Sequence, residues 1–350
     1  MKVNICAALL LSLLLGSVFL FPSCTPDPPL DFPTGRYEKG VFVVNEGPFG
    51  GTGTITWHDP ATGETVQDIY GKANNGAALG QFVQSLAFHN GKGYIVVNGR
   101  NQVVVVDAAT FAFLDTIVGL IMPRFFLPRD NNYGYISQWG TNGVNGSIAK
   151  VDLQTNAIVK TIPTGSGPEK MLIADGVLWV ANSGGFGVDS TVSHIFTATE
   201  NGSVSEPVFG QRNPLGLAKA AGVTNYPFAV LCKGDYTDPS ATGWLTRADA
   251  PNVSGVATVP GADDLVASPD GYTYYFIGGG AVYAYDNSGL KKRFDQAAYG
   301  LACHPVSGDL YCADPKDYSS AGVVVIRKPT GEQVGSFPVG VAPGEIVIVQ

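Results

Sequence analysis

Short apolar stretches recur along the chain, and polar turns that contain glycine or asparagine separate them. Runs rich in Val, Ile, Tyr and Trp border such turns in FHNGKGYIVVN (88–98), PRDNNYGYISQW (128–139), IADGVLWVAN (173–182), SPDGYTYYFIGG (268–279) and HPVSGDLYCAD (304–314). Strand-forming residues on both sides of a tight polar turn are typical of β-hairpins. The pattern therefore predicts an antiparallel β protein.

Two further strands follow most of these hairpins. The third strand ends in an aspartate, as in VVVVDAATFA (103–112), and the fourth strand, as in IVKTIPTG (158–165), leads into a Gly/Pro turn. Four short antiparallel strands therefore make one repeating unit. The second strands begin near Val41, Tyr94, Tyr135, Leu178, Phe228, Tyr274 and Leu310, a spacing of about 45 residues that is typical of propeller blades.

The repeat predicts an all-β fold, a seven-bladed β-propeller of four-stranded antiparallel blades over residues 38–350. The repeating region opens on a strand of the second type, Val41–Asn45, and closes on one of the first type, Ile346–Val349. We expect the C-terminal strand to complete the first blade, which would close the ring without an exposed edge. Units four and five are the least regular, so six or eight blades are the alternatives.

The glycine-rich segment Gly165–Lys170 resembles a phosphate-binding loop only superficially. Such a loop lies between a strand and a helix, whose N–H groups point at the anion. Here a hairpin follows, and a similar phrase returns near the C-terminus as PVGVAPGEIVIV (338–349). We interpret the segment as the turn that leads from the outer strand of one blade to the inner strand of the next.

The first residues have the features of an export signal. Lys2 precedes an almost unbroken apolar run from Ile5 to Phe21 that is too short for a stable membrane span, and Cys24 follows it. We predict a signal peptide over residues 1–23 and a lipidated Cys24 with a proline-rich tether over residues 24–37. Phe21 and Pro22 depart from the commonest lipobox residues, and ordinary cleavage near Ser23 is the alternative.

Composition and charge exclude one class of partner. The chain has 350 residues, of which 45% are hydrophobic and 14% charged, so it can bury a large core. Its formal net charge of −8 argues against nucleic acid as a partner, because neutralising phosphates needs a basic face.

Apart from Cys6 and Cys24, the chain has three cysteines: Cys232, Cys303 and Cys312. The turn at 306–309 would place Cys303 opposite Cys312 on paired strands, where an exported protein could form a disulfide. Two free thiols are the alternative. A metal site that also used His304 would crowd three ligands on one hairpin, which is poor tetrahedral geometry.

Enzyme signatures are weak in this sequence. It has no G-x-S-x-G motif, and its four histidines are scattered over different units. The pair Asp263-Asp264 stands alone at the junction between two units, which is weak support for a metal. We therefore expect a protein that binds a ligand without catalysis, cofactor or metal.

One face of a propeller gathers the loops around the central channel, and a ligand site there would draw on several blades. The residues that we predict to bind ligand are Glu46, Phe49, Gln81, Gln84, Arg100, Arg124, Trp139, Asn142, Glu169, Lys170, Asn182 and Phe186. We place further residues on the same face: Asn45, Phe82, Asn98, Asn101, Phe125, Tyr236, Tyr299, Asp314, Lys316 and Tyr318.

Several of these residues also have a structural interpretation. Asn45, Asn98 and Asn182 recur at one position of the repeat and are equally suited to capping a turn. Arg124 and Glu169 follow Pro123 and Pro168 at equivalent positions and could pair across the channel. Tyr94, Tyr135 and Trp179 lie within strands, where we expect them to pack between blades.

The sequence also resembles a known family. The segments VFVVNEGPFGGTGTITWHDPATGE, ANNGAALGQFVQSLAF, GYIVVNGRNQVVVVDAATF and IPTGSGPEKMLIADGVLWVANSGG are similar to the YVTN/YncE-like β-propeller lipoproteins of Gram-negative surfaces, and more narrowly to the BtuG-type cobalamin-binding lipoproteins. The resemblance implies a monomeric cell-surface protein, held to the outer membrane by its lipid alone. It would bind cobalamin or another corrinoid and pass it to a TonB-dependent transporter. The rivals are other cargoes (haem, a metal chelate or a peptide), a propeller hydrolase or lyase, and an adhesion module.

Overall fold

The computed structural model describes residues 35–207, 212–219, 228–235, 242–247 and 257–350. The predicted signal peptide, Cys24, most of the predicted tether and Tyr236 lie outside these ranges. The described residues form seven four-stranded antiparallel sheets, which we number as blades 1 to 7 in chain order. A β-propeller of four-stranded antiparallel blades is therefore confirmed.

The first four blades are regular. The strands of blade 1 are β1 (Gly40–Asn45), β2 (Thr54–His58), β3 (Thr65–Val66) and the C-terminal β28 (Pro343–Val349). Those of blade 2 are β4 (Val83–His89), β5 (Lys92–Val97), β6 (Gln102–Asp107) and β7 (Phe113–Ile117). Blade 3 has β8 (Pro123–Pro128), β9 (Tyr133–Gln138), β10 (Ser147–Asp152) and β11 (Ala157–Pro163). Blade 4 has β12 (Pro168–Ala174), β13 (Val177–Asn182), β14 (Thr191–Phe196) and β15 (Val204–Pro207).

The remaining blades repeat the same order. Blade 5 consists of β16 (Pro214–Lys219), β17 (Phe228–Cys232), β18 (Thr242–Arg247) and β19 (Ala257–Pro260). Blade 6 has β20 (Asp263–Ala267), β21 (Tyr274–Gly278), β22 (Ala281–Asp286) and β23 (Gly289–Asp295). Blade 7 has β24 (Gly300–Cys303), β25 (Leu310–Asp314), β26 (Ala321–Arg327) and β27 (Gln333–Val341). A short helix, α1 (Ile69–Ala73), and a 3₁₀ turn at Asn98–Arg100 lie between strands.

The C-terminal strand closes the ring as the sequence predicts. β28 pairs with β1 in antiparallel register, with Val41 opposite Ile348 and Val43 opposite Ile346. The innermost strand of the first blade therefore comes from the other end of the chain. This pairing satisfies the backbone groups of β1 that would otherwise form an open edge.

The core lies in layers between neighbouring blades. Tyr94 of blade 2 is 1% exposed, and its ring stacks on Phe126 of blade 3 with centroids 4.2 Å apart. Tyr135 of blade 3 is fully buried among Leu178, Val180 and other residues of blade 4. These positions confirm that the strand aromatics pack between blades. The apolar faces of consecutive sheets thus bury one another around the ring.

The predicted disulfide is not formed. Within the hairpin, Cys303 lies opposite Leu310 and Cys312 lies opposite Leu301, so the two cysteines are offset along the strands. The turn is longer than the sequence analysis assumed, and both thiols are free. Burial raises the pKa of Cys303 to about 11 and that of Cys312 to about 12, so both stay protonated at neutral pH.

The described residues include no helix that is long and apolar enough to cross a membrane. The two helical segments are five and three residues long. Both segments connect strands. Helix α1 buries residues such as Ile69 and Tyr70, whereas the 3₁₀ turn buries none.

Candidate functional site

A register shift near the start of six of the seven inner strands turns a side chain toward the channel. The strands are β4, β8, β12, β16, β20 and β28, and the first residue at each shift is Gln84, Arg124, Glu169, Leu215, Asp264 and Gly344. In β8 and β12 a second residue, Phe125 and Lys170, is also left out of the pairing. In β24 the equivalent position is Tyr299, which directly precedes the strand. Bulges re-aim side chains and are frequent next to functional sites.

The backbone that leads into these bulges is strained. Phe82, Met122 and Ala342 each precede the first residue of an inner strand and have φ of 53°. Asn213 occupies the same place in blade 5 with φ of 60°. Non-glycine residues in this left-handed region cost free energy, and such strain is often found at ligand sites.

All seven bulge-position residues line one cavity at this end of the channel. The cavity has a volume of about 470 Å³, within the usual range for small-molecule sites. The other lining residues come from the inner strands and from the loops that follow the second strands: Glu46, Phe125, Trp139, Lys170, Ser183, Gly185, Phe186, Gly187, Val188, Lys233, Asp235, Asp263 and Glu345. The lining is therefore both aromatic and highly charged.

A chain of hydrogen bonds joins the side chains on one part of the wall. Tyr299 donates its hydroxyl to Oε1 of Glu46 at 2.8 Å, and Gln84 Nε2 donates to the same oxygen at 3.1 Å. Arg124 donates Nη1 to Gln84 Oε1. The Nε of Arg124 also lies 3.0 and 3.1 Å from the two carboxylate oxygens of Glu169. The predicted pairing of Arg124 with Glu169 is thus confirmed, and it links blades 3 and 4.

Two lysines form the remaining ion pairs of the cavity. Lys170 Nζ pairs with Asp264 Oδ1, and Lys233 Nζ lies 2.8 Å from Asp263 Oδ2. Backbone N–H groups hold the carboxylates in place: that of Leu301 donates to Asp264 at 2.8 Å, and that of Leu86 donates to Glu345 at 2.8 Å. These contacts fix the charged groups before any ligand arrives.

Burial dominates the protonation of these groups. It raises the pKa of Glu46 and of Glu169, although Arg124 lowers both. Burial also raises the pKa of Glu345 to about 7, against the opposing effect of Lys170. Burial would lower the pKa of Lys170, but the carboxylates of Asp264 and Glu345 outweigh it and raise that pKa.

Two loops that touch through glycines form the aromatic wall. A side chain at Gly185 would meet the carbonyl oxygen of Gly143 at 1.7 Å, and one at Gly143 would meet the Phe186 ring at 2.3 Å. This close approach sets the ring of Phe186 edge-on to Trp139, with centroids 5.4 Å apart. The Arg124 guanidinium lies over the other side of the same wall, 4.4 Å from the Trp139 ring centroid.

Seven of the twelve predicted binding residues line the cavity: Glu46, Gln84, Arg124, Trp139, Glu169, Lys170 and Phe186. The five others do not. Phe49 is 93% exposed in the β1–β2 loop, and Gln81 is exposed as well. Arg100 donates to the carbonyl of Ala78 at 3.1 Å, and Asn142 accepts from the N–H groups of Val144 and Asn145.

Asn182 supports the strand instead of facing the channel. It is fully buried, and its Nδ2 donates to Thr191 at 2.8 Å and to Ser193 at 2.9 Å. Asn45, at the same position of the repeat, donates to Thr56 at 3.0 Å. The turn-supporting interpretation therefore holds for both residues.

Sequence reasoning missed several lining residues: Ser183, Val188, Leu215, Lys233, Asp235, Gly344 and Glu345. A signal for some of them was present. Four inner strands begin with proline, at positions 123, 168, 214 and 343, and the next residue lines the cavity each time. That recurrence identifies Leu215 and Gly344. Glu345 follows one position later, as Lys170 does in blade 4.

Metal binding finds no support in the described ranges, which contain no group of three or more His, Cys, Asp and Glu residues arranged to hold an ion. The acidic pair Asp263-Asp264 is instead divided between Lys233 and Lys170.

The family model described as "Domain of unknown function (DUF5074)" matches residues 39–336. The chain belongs to this family. No curated protein matches this DUF5074 protein. The predicted likeness to BtuG-type lipoproteins therefore stays a prediction.

Solved structures resemble the DUF5074 protein in fold. A quinonprotein alcohol dehydrogenase-like protein from Bacteroides thetaiotaomicron is 17% identical, with a TM-score of 0.61 over 90% of this chain and 79% of that one. A putative 6-phosphogluconolactonase from Bacteroides fragilis is 14% identical, with a TM-score of 0.64 over 91% and 100%. A functionally unknown protein from Desulfotomaculum acetoxidans is 14% identical, with a TM-score of 0.62 over 89% and 99%. At such identities the likeness concerns the fold alone.

Proposed function

We propose that this DUF5074 protein captures a ligand on its channel face and releases it chemically unchanged. The ligand that we propose is cobalamin or another corrinoid, which would then pass to an outer-membrane TonB-dependent transporter. A corrinoid has an apolar macrocycle face and an edge that carries primary amides. It therefore needs aromatic surface and many polar groups at fixed positions.

The observation that carries this proposal is the rigid aromatic wall at the cavity mouth. Phe186 is 71% exposed, and its loop packs so closely against the Trp139 loop that only glycine fits at Gly185 and Gly143. An aromatic surface that is already ordered loses little entropy when a ligand stacks on it. The macrocycle is broader than the cavity, so most of a corrinoid would rest on the mouth.

Residues around the mouth can complement the polar edge of such a ligand. Gln81, Arg100 and Asn142 lie in loops of blades 2 and 3, outside the cavity but on the same face. Phe49, in the β1–β2 loop, exposes 93% of its surface near them, with its ring centroid 6.3 Å from that of Phe82. Loops from several blades would thus surround one large ligand.

Calorimetric titration of the purified protein with cyanocobalamin tests this proposal. We expect binding at micromolar concentration or tighter. Trp139→Ala should weaken it by roughly 1–3 kcal/mol, the usual loss for one anchoring aromatic. The matched control is Phe113→Ala, because Phe113 is half exposed on the outer strand β7, away from the channel.

The results separate the parts of the proposal. If the titration shows no binding heat at micromolar cyanocobalamin, a corrinoid is ruled out as the ligand. If Trp139→Ala binds cobalamin as tightly as the parent, the proposed function stands but the binding site lies elsewhere on the channel face. An altered mass of the recovered ligand would instead favour an enzyme, for which Glu345 is the best-placed general base because its pKa lies near 7.

A further inference from the structure

The cavity below the mouth has two dissimilar sides. Phe125, Trp139, Phe186, Val188 and Leu215 come from blades 3, 4 and 5 and give an apolar side. The carboxylates of Glu46 and Glu345 both belong to blade 1. An apolar surface that faces carboxylates across about 470 Å³ fits a small amphipathic molecule.

The other charges of the cavity cancel in pairs. Arg124 pairs with Glu169, Lys170 with Asp264 and Lys233 with Asp263. Asp235 pairs with Arg212, which does not line the cavity. Every basic residue of the lining is therefore already bound to an acidic one.

Glu46 and Glu345 differ from the other acidic residues because neutral groups hold them. Glu46 Oε1 accepts from Tyr299 and Gln84, and Glu345 Oε2 accepts from the Leu86 N–H. Among the described residues, no lysine or arginine lies within ion-pair distance of either carboxylate. Arg124 and Lys170 act on them only from farther away. Among the described residues, no group donates a hydrogen bond to the other carboxylate oxygens, Oε2 of Glu46 and Oε1 of Glu345.

We propose that the cavity is a binding site for an organic ammonium ion, with its cationic N–H groups on Glu46 and Glu345 and its apolar body against Trp139, Phe186 and Phe125. An ammonium group supplies both the missing donors and the missing positive charge. A hydrated metal ion would leave the aromatic side uncovered. A carboxylate ligand would meet two like charges.

The ammonium site shares Trp139 and Phe186 with the corrinoid proposal but does not require it, because the ammonium group binds Glu46 and Glu345, which corrinoid capture does not use. The cobalamin titration and the amine titration can therefore fail separately.

A matched pair of probes tests the site. Phenethylamine and 3-phenylpropionate have similar size and opposite charge, and each can be titrated calorimetrically into the purified full chain at mildly alkaline pH. We expect phenethylamine to bind at least about tenfold tighter than 3-phenylpropionate.

Two isosteric variants identify the carboxylates. Glu46→Gln and Glu345→Gln keep an oxygen that can accept the existing hydrogen bonds but remove the charge. We expect each to weaken phenethylamine by about tenfold, the loss of one charge-assisted hydrogen bond. Glu332→Gln is the control, because Glu332 is exposed and pairs with Lys328 at a turn far from the cavity.

Three results would overturn the proposal: no phenethylamine binding at millimolar concentration, equal binding of the two probes, or unchanged affinity in both variants. Thermal melts establish that each variant is folded. If Glu345→Gln does not fold, Glu46→Gln alone decides the outcome.

Discussion

At the scale of single residues, the cavity depends on how each carboxylate is neutralised. Glu169 is 7% exposed, and both of its carboxylate oxygens accept from Nε of Arg124, which opposes the rise that burial causes in its pKa. Glu345 has no such partner, and its Leu86 hydrogen bond is to a neutral amide. Burial therefore raises the pKa of both side chains, but of the two only Glu169 has an arginine in ion-pair contact that opposes the rise.

Glu345 should make the stability of the protein depend on pH. Burial raises its pKa to about 7 in the folded state, while Lys170 opposes and Asp264 reinforces this shift. The unfolded pKa is about 4.3. Because the folded state holds the proton more tightly, the contribution of Glu345 to the free energy of unfolding falls as pH rises from about 4.5 to about 7.5.

Glu345→Gln should remove this loss. We expect the variant to exceed the parent in free energy of unfolding by about 1–3 kcal/mol at mildly alkaline pH and to match it near pH 4. Urea unfolding at both pH values measures the difference, with Glu332→Gln as the surface control. If the parent is as stable as the variant at alkaline pH, the raised pKa of the unpaired Glu345 carboxyl is contradicted.

At the scale of elements, periodicity predicts strands better than it predicts pairing offsets. The starts of β17, β21 and β25 at Phe228, Tyr274 and Leu310 were all predicted, because a short apolar run that follows a polar turn marks a buried strand directly. The offset of Cys303 from Cys312 was not, because a longer turn shifts the register without changing the composition.

The binding residues were predictable only in part for the same reason. Residues such as Arg124 and Glu169 follow prolines at strand starts, and this repeated position was visible in the sequence. Lys233 and Asp235 lie in the β17–β18 connection, where no repeated signal marks them. Asn182 repeats as regularly as the cavity residues do but points into its own sheet. Repetition alone therefore does not distinguish a ligand contact from a turn support.

The pairing of β28 with β1 gives a prediction at this scale. Deleting Glu345–Gln350 would remove most of the inner strand of blade 1 and expose the edges of β1 and of the neighbouring blades. We expect aggregation or a large drop in melting temperature. Deleting Gln350 alone is the control, since this residue lies after the strand. A six-residue truncation that melts like the parent would show that the ring closes differently.

At the scale of the whole molecule, the first described residues contact turns on the face of the propeller opposite the cavity. The described chain begins at Gly35, and the N–H of Tyr37 donates to the Ala109 carbonyl at 2.9 Å, in the turn between β6 and β7. Arg36 pairs with Glu64, in the turn between β2 and β3. Both turns lie at the ends of the strands opposite the cavity. Arg36 and Tyr37 therefore contact the side of the ring opposite the cavity.

The lipid anchor at Cys24 stays a prediction, and membrane fractionation can test it. Cys24→Ala should move the protein from the membrane fraction to the soluble fraction, since a lipid on the Cys24 sulfur is the anchor that the sequence predicts. Cys303→Ala is the matched control, because it removes a cysteine from the propeller and leaves residue 24 intact. Mass spectrometry of the N-terminal peptide should find the acyl mass on Cys24 in the parent and in the control. A Cys24→Ala protein that stays with the membrane, together with an unmodified Cys24 peptide in the parent, would rule out the anchor.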